Sequence, residues 1–387
     1  MAEPAAPPAT FNDFLGNSTA VEHLRTAIAA GRLPHSLILS GPNGAGKYTL
    51  ALMLAMAVEC ERQPRDLWSN GLSLASFCGV CRNCTRIASA HNLDELIDQA
   101  VAAREDLKTE ADKKDTRVLV QPHPDVLIIP PDPPQLLIKL GQVRTIIQRS
   151  HSLPGEAPRK IFIITAANFM KEAANSLLKV LEEPPDTVHI ILLAENPGEL
   201  LPTIRSRCAT VRLGALPVEE IEILLTDRRP DVPPKQRNLI ARLAQGAAGK
   251  ALGFDLEAYT AARADALLLL RNAAAASSGS AEPDHTALFK TTETYRAGAE
   301  GQQKTAALLR ALSLLLEDLL LLGAGTPELL RNTDLRPELD RLSQSLSFHW
   351  IEQASKGLDQ VQSGMRRNLL RSLSLDAFAG QLTTAAR

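Results

Sequence analysis

Along the first part of the chain, short apolar runs alternate with segments of helical periodicity. The runs fall at residues 36–40, 126–129, 160–165, 188–193 and 209–213, and several are rich in Ile and Val. Unbroken apolar runs, without polar alternation, are what strands buried on both faces require. The pattern therefore predicts an α/β unit over 11–214: a parallel sheet with helices on both faces. Residues 215–254 carry helical periodicity and end in the glycine-rich stretch Gly246-Ala-Ala-Gly249, long enough for a small helical domain. From 255 to 387 the pattern is wholly helical, with helices expected at 261–271, 304–322, 338–346, 350–362 and 366–382, and loops at 277–283 and 323–327. A third, all-α domain follows from it. No internal repeat is visible.

Two segments stand outside this scheme. Residues 1–10 (MAEPAAPPAT) read as a disordered tail, with neither the basic start nor the apolar stretch of a secretory signal. Residues 93–118 are highly charged and read as a solvated helix or flexible insertion, to which no function is assigned.

Composition narrows the classes. The 387 residues are 45% hydrophobic and 22% charged, an ordinary globular balance. The net charge of -2 provides no global positive field to draw the chain onto nucleic acid, so DNA contacts would be local or shared with partners. The longest apolar run, 312–322, is interrupted by Glu317 and Asp318 and falls short of the roughly 20 residues that span a bilayer. No membrane association is expected, and clustered cysteines without a disulfide pattern point to a reducing, cytoplasmic setting.

The first apolar run leads into Gly41-Pro-Asn-Gly-Ala-Gly-Lys47, a strand running into G-x-x-x-x-G-K. Gly41, Gly44 and Gly46 let backbone N–H groups turn around phosphates, Lys47 supplies the point charge, and the helix that follows points its positive end at the same place. The loop is incomplete. The Ser or Thr whose hydroxyl would hold magnesium is replaced by Tyr48, whose ring is expected to crowd the metal position; Thr49 is rotated by roughly 100° on the helix. The run 160–165, where a P-loop ATPase places its metal-binding Asp and an adjacent acid, ends instead in Thr165 and Ala166. Phosphoryl transfer depends on positioning around the metal, so hydrolysis is expected to be slow or absent. Mg2+ is not expected, and ATP binding stays open. Asp125 and Glu195 are the acids available to substitute.

Cys60, Cys78, Cys81 and Cys84 are spaced C-x17-C-x2-C-x2-C. Two-residue spacing lets thiolates converge on one ion, and four of them close a tetrahedral site with no position for water. Structural zinc is the reading this spacing favours. A ferredoxin-type iron–sulfur run would continue with a fourth Cys followed by Pro, whereas Thr85 follows Cys84. Four free thiols remain the other alternative. Ser206-Arg207-Cys208 precedes the last run; here a surface arginine paired with a local carboxylate competes with a functional one. Glu182 and Glu183, adjacent and followed by Pro184-Pro185, read as a solvated helix end. His123 alone is not expected to bind metal, and Lys250 fits either a phosphate contact or a helix start.

Four segments occur in an order that identifies a family: Phe11-Asn-Asp-Phe-Leu-Gly16, Gly31-Arg-Leu-Pro-His35 before the loop, Ser176-Leu-Leu-Lys-Val-Leu-Glu-Glu-Pro-Pro185, and Leu200-Leu-Pro-Thr-Ile-Arg-Ser-Arg-Cys208. They resemble the bacterial DNA polymerase III clamp loader subunits over about 11–213. The resemblance implies a RecA-like AAA+ P-loop domain, a small helical lid and a C-terminal helical collar that builds a hetero-pentameric ring. The ring, with gamma/tau and delta subunits as partners, loads the sliding clamp onto primer-template DNA. Within the family, gamma/tau subunits keep an intact magnesium site and delta-prime subunits have a degenerate one. The missing acids, and a chain that stops after one helical domain, favour the delta-prime stator over an active gamma/tau-type ATPase; a zinc-bearing AAA+ adaptor outside replication is a third reading. The resemblance also makes Arg207, with Arg205 ranked second, an arginine finger acting on a neighbour's ATP, and gives the cysteine cluster a zinc module common to both branches.

Overall fold

In the computed structural model, the residues described are 9–67, 73–109, 112, 116–133, 135–278, 298–366, 377, 378, 380 and 382. Most of the expected tail, residues 110, 111 and 113–115 of the charged insertion, residues 279–283 of the expected loop and most of the closing helix at 366–382 lie outside them. The chain divides into two compact units, residues 1–224 with 246–250, and residues 225–245 with 251–387.

The first unit is built on a six-stranded sheet. In chain order it contains α1 (Ser18–Ala29), β1 (Ser36–Ser40), α2 (Lys47–Glu59), the short hairpin β2 (Arg65–Leu67) and β3 (Ser73–Ala75), α3 (Arg82–Ala88) and α4 (Leu93–Glu105). There follow β4 (Val120–His123), β5 (Val126–Ile129), α5 (Leu140–Ser150), β6 (Lys160–Ile164), α6 (Lys171–Glu182), β7 (Val188–Ala194), α7 (Pro202–Arg205) and β8 (Ala209–Arg212). The strand order is β4-β5-β6-β7-β1-β8. All pairs are parallel except β4 with β5. This is the RecA-like AAA+ arrangement, with the loop that follows β1 emerging at the carboxyl end of the sheet.

Period-two geometry explains why the strands read as continuous apolar runs. Leu37 and Leu39, Val126 and Ile128, Ile161 and Ile163, and Ile191 and Leu193 pack on one face with α1 and α2. Ile38, Leu127, Ile129, Phe162, Ile164, Ile190 and Leu192 pack on the other with α5 and α6. Each of these four strands, β1, β5, β6 and β7, thus feeds two cores.

Helix α2 is apolar all round, with Leu50 through Ala57 all buried. A helix of that kind needs cover on more than its sheet-facing side. Phe77, Cys81, Cys84, Ile87 and Ala90 from the segment after the β2–β3 hairpin join the same core and supply it. The first half of the charged insertion forms α4, which has no fully buried residue and is held by Arg104 against the buried Asp132 (2.6 Å).

Helix α8 (Val218–Arg228) passes from the first unit into the second, and α10 (Ala248–Leu252) does so again. The second unit contains α9 (Pro234–Leu243), α11 (Leu256–Ser278), α12 (Gly298–Gly323), α13 (Arg336–Ser345) and α14 (Phe348–Arg366). Leu308, Leu312, Leu315 and Leu319 of α12 are buried against its neighbours. The interruption of the apolar run noted above has a structural reason: Asp318 is fully buried and accepts from the backbone N–H of Arg331 and Asn332 (2.9 Å each) and from Asn332 Nδ2 (2.7 Å). Among the described residues no helix is long and apolar enough to cross a membrane.

Candidate functional site: a self-closed phosphate loop, a cysteine centre and an exposed arginine

The loop between β1 and α2 uses its glycines as the sequence demands. Gly44 and Gly46 adopt left-handed backbone at φ +83° and +82°, which side chains other than glycine rarely tolerate. Packing adds a second constraint. A Cβ on Gly44 would lie 2.8 Å from Lys250 Cγ and 2.9 Å from its backbone N, and one on Gly46 would lie 2.9 Å from Phe14 Cε2. Gly249 N–H donates to Gly44 O (2.9 Å). The loop is therefore pinned from both sides by its own chain.

Lys47 is turned back onto this loop, its Nζ donating to Gly41 O (2.7 Å) and Pro42 O (2.9 Å). Burial lowers its pKa, with Lys250 acting in the same direction and Glu195 and Glu199 opposing. A cleft of about 580 Å³ opens beside the loop at the ends of β1, β7 and β8, lined among others by Gly41, Glu195, Asn196 and Arg212.

Tyr48 does not do what the sequence suggested. Its ring packs against the core that α2 shares with the cysteine segment, and its hydroxyl donates to Ala90 O (2.6 Å). Burial pushes its pKa up. The residue clamps that segment onto α2; it does not crowd a metal position.

Thr165 and Ala166 follow β6, two strands from β1 at the carboxyl end of the sheet. Thr165 N–H donates to Ile129 O (3.1 Å). No acidic residue occurs between Lys160 and Lys171. Of the two acids available to substitute, Asp125 precedes β5 and so lies at the opposite, amino end of the parallel sheet. Its carboxylate is already committed to the backbone N–H groups of Gly155 (2.7 Å), Glu156 (2.8 Å) and Ala157 (3.0 Å). Burial alone would raise its pKa, but those three donors outweigh it and hold the pKa below the usual value. Glu195 follows β7 at the correct end and is exposed.

The four cysteines come together. Cys60 ends α2, Cys81 caps α3, and the ligand atoms of Cys60, Cys78, Cys81 and Cys84 lie within 4.8 Å of one another. Backbone N–H groups of Gln63 and Cys78 point at Cys60 Sγ (3.3 and 3.4 Å), that of Cys81 at Cys78 Sγ (3.3 Å) and that of Cys84 at Cys81 Sγ (3.5 Å). Such donors stabilise thiolates. At Cys78 they outweigh burial and bring the pKa to about 7, whereas burial pushes Cys60 and Cys84 up. Four convergent sulfurs with backbone donors fit a metal ion; soft thiolates favour zinc or iron over magnesium or calcium.

Arg207 follows α7, a helix of one turn begun by Pro202 and anchored by the buried Ile204. Its Nη1 donates to Thr203 O (2.9 Å) and Ser206 Oγ (3.3 Å), and its Nη2 lies 2.5 Å from Glu182 Oε1. Glu182 is thus a partner of Arg207 and not simply a solvated helix end, a pairing across 25 positions that no local sequence pattern signals. Arg205 and Ser206 are exposed, and Cys208 is half-buried, with burial pushing its pKa to about 11.

Compared with known proteins, residues 16–217, just over half of the chain, match the family model described as DNA polymerase III, delta subunit. The subunit delta' of Bacillus subtilis (strain 168) is 31% identical over 226 residues, 58% of this chain and 55% of the relative. The subunit tau of Escherichia coli (strain K12) is 29% identical over 250 residues, 63% of this chain and 32% of the relative. The chain spans about a third to about half the length of these curated relatives. Among solved structures, a DNA polymerase III gamma subunit-related protein from Thermotoga maritima is similar over 95% of this chain and 100% of that chain, at 18% identity and a TM-score of 0.42.

Proposed function

The chain belongs to the DNA polymerase III delta-subunit family, and from that membership we propose that it serves as a delta-prime-type stator of the clamp loader. In this role it assembles with gamma/tau and delta subunits into a hetero-pentameric ring that places the sliding clamp on primer-template DNA. It does not turn over ATP itself; it lends Arg207 to the ATP site of a neighbour. The observation that carries the reading is the absence of any acid between Lys160 and Lys171, where the sheet would offer a metal-binding carboxylate. Without it, a triphosphate on the loop has no fixed divalent ion to draw charge from the leaving group. Lys47 bonded to its own loop, and Gly44 pinned against Lys250, agree with a loop retained for structure.

Arg207 suits a trans role because it is exposed at the end of a one-turn helix and carries a permanent charge with forked donors. Fingers supplied in trans are worth about 10³–10⁵ in rate for GTPases. The cysteine centre is proposed to hold one structural zinc, closing the segment that covers α2. It takes no part in the chemistry.

The rival reading, an active gamma/tau-type ATPase, has Glu195 to rely on, the exposed acid whose charge reaches Lys47. Reconstitution with gamma/tau and delta subunits separates the two. Lys47→Ala is expected to leave DNA-stimulated ATP turnover and clamp loading unchanged; loss of most of the turnover would mean that this chain's own loop fires.

A further inference from the structure

Glu182 occupies a place that helix electrostatics disfavours. It is the last residue of α6, where unpaired carbonyls give the helix end a partial negative charge, and Glu183 follows directly. An acid there is destabilising unless a cation offsets it. The cation is Arg207, at 2.5 Å, and the pair is reached from two separate elements, α6 and α7. Pro184-Pro185 stops α6 so that Glu182 is held at its tip. The guanidinium is gripped from two directions: Nη1 by Thr203 O and Ser206 Oγ, Nη2 by Glu182.

We propose that Glu182 is a positioning residue for Arg207, fixing the direction in which its remaining N–H groups face a neighbouring subunit's phosphate. This rests on the stator reading above. An exposed arginine otherwise samples many rotamers, and ordering one such side chain at the moment of use is what Glu182 spares the complex. Glu183, next to it, makes no comparable pair among the described residues and serves as the control.

The test uses the reconstituted loader with DNA and ATP. Glu182→Ala is expected to lower kcat about 3–10-fold, the span set by ordering a rotamer-rich side chain, with KM for ATP unchanged. Glu182→Gln, which keeps an acceptor, is expected to recover part of the loss, and Glu183→Ala to have no effect. In an Arg207→Ala background, adding Glu182→Ala is expected to change nothing further, which a merely structural role would not produce. The melting temperature of each purified variant reports any loss of folding separately. If Arg207→Ala itself leaves turnover intact, the stator reading fails before Glu182 is at issue. If Arg207→Ala slows turnover while Glu182→Ala leaves it unchanged, raises it, or lowers it equally without Arg207, the positioning role is overturned and the stator reading stands.

Discussion

Replacing Asp125 by asparagine tests whether this carboxylate is an anchor or a displaced catalytic acid. The side chain is almost wholly buried and accepts three backbone N–H groups, from Gly155, Glu156 and Ala157, at 2.7–3.0 Å. Asparagine is nearly isosteric but keeps one acceptor oxygen; placed where Oδ2 was, it still accepts from Glu156 and Ala157 and leaves the Gly155 N–H facing an NH2 group, and the reverse orientation strands two donors. Each unsatisfied donor costs about 1–3 kcal/mol, and loss of the charge weakens the bonds that remain, which gives a destabilisation of roughly 2–5 kcal/mol. For a domain of this size that lowers the melting temperature by roughly 5–15 °C. The pH dependence follows from the sign of the shift. The folded pKa of Asp125 lies below its ordinary 3.8, so its contribution is present above that value and is lost as pH falls through the folded pKa. Thermal melts of wild type and Asp125→Asn are therefore expected to differ fully at pH 7, to begin converging as pH falls below about 3.8, and to meet only below the still lower folded pKa. In the reconstituted loader at a temperature where the variant is folded, turnover is expected to be normal. A variant with wild-type stability, or one that folds normally but fails to support turnover, would refute the anchor assignment.

Three further outcomes follow from the same contacts. The purified chain is expected to carry about one zinc by elemental analysis, and Cys84→Ser or chelation to lower its melting temperature, since a structural ion supplies folding free energy outright. Gly44→Ala is expected to destabilise the first unit by roughly 1–3 kcal/mol in urea titrations, because alanine at φ +83° is strained and its methyl meets the Lys250 backbone. Asp318→Ala strands the N–H groups of Arg331 and Asn332 and is expected to cost the second unit roughly 2–5 kcal/mol, read by chemical denaturation.

What the sequence made legible follows the range of the interactions. The five apolar runs became β1, β5, β6, β7 and β8 with ends shifted by at most one residue; in the first four, burial on both faces leaves little room for polar residues, whereas the edge strand β8 is mostly exposed. In the second unit α13 and α14 lie within four residues of the expected 338–346 and 350–362, whereas α12 begins six residues before the expected 304 and α11, at Leu256–Ser278, runs well past both ends of the expected 261–271. β4 was missed: Val-Gln-Pro-His carries a proline and a polar residue, which an edge strand tolerates and a buried one does not. The β2–β3 hairpin was missed because its strands are three residues each. At the candidate site, spacing alone brought out the four cysteines and the loop glycines. The Tyr48–Ala90 clamp, the commitment of Asp125 and the Glu182–Arg207 pair join positions 25–42 residues apart, and no periodicity encodes such meetings.

A loop without a metal-binding acid beside it cannot fire its own nucleotide, and the most direct measurement is multiple-turnover ATP hydrolysis by the purified chain with Mg2+, alone and with primer-template DNA. No release of phosphate above background is expected at any ATP concentration, in wild type and Glu195→Gln alike. Magnesium-dependent release at the rate of a working loader, abolished by Lys47→Ala, would contradict it.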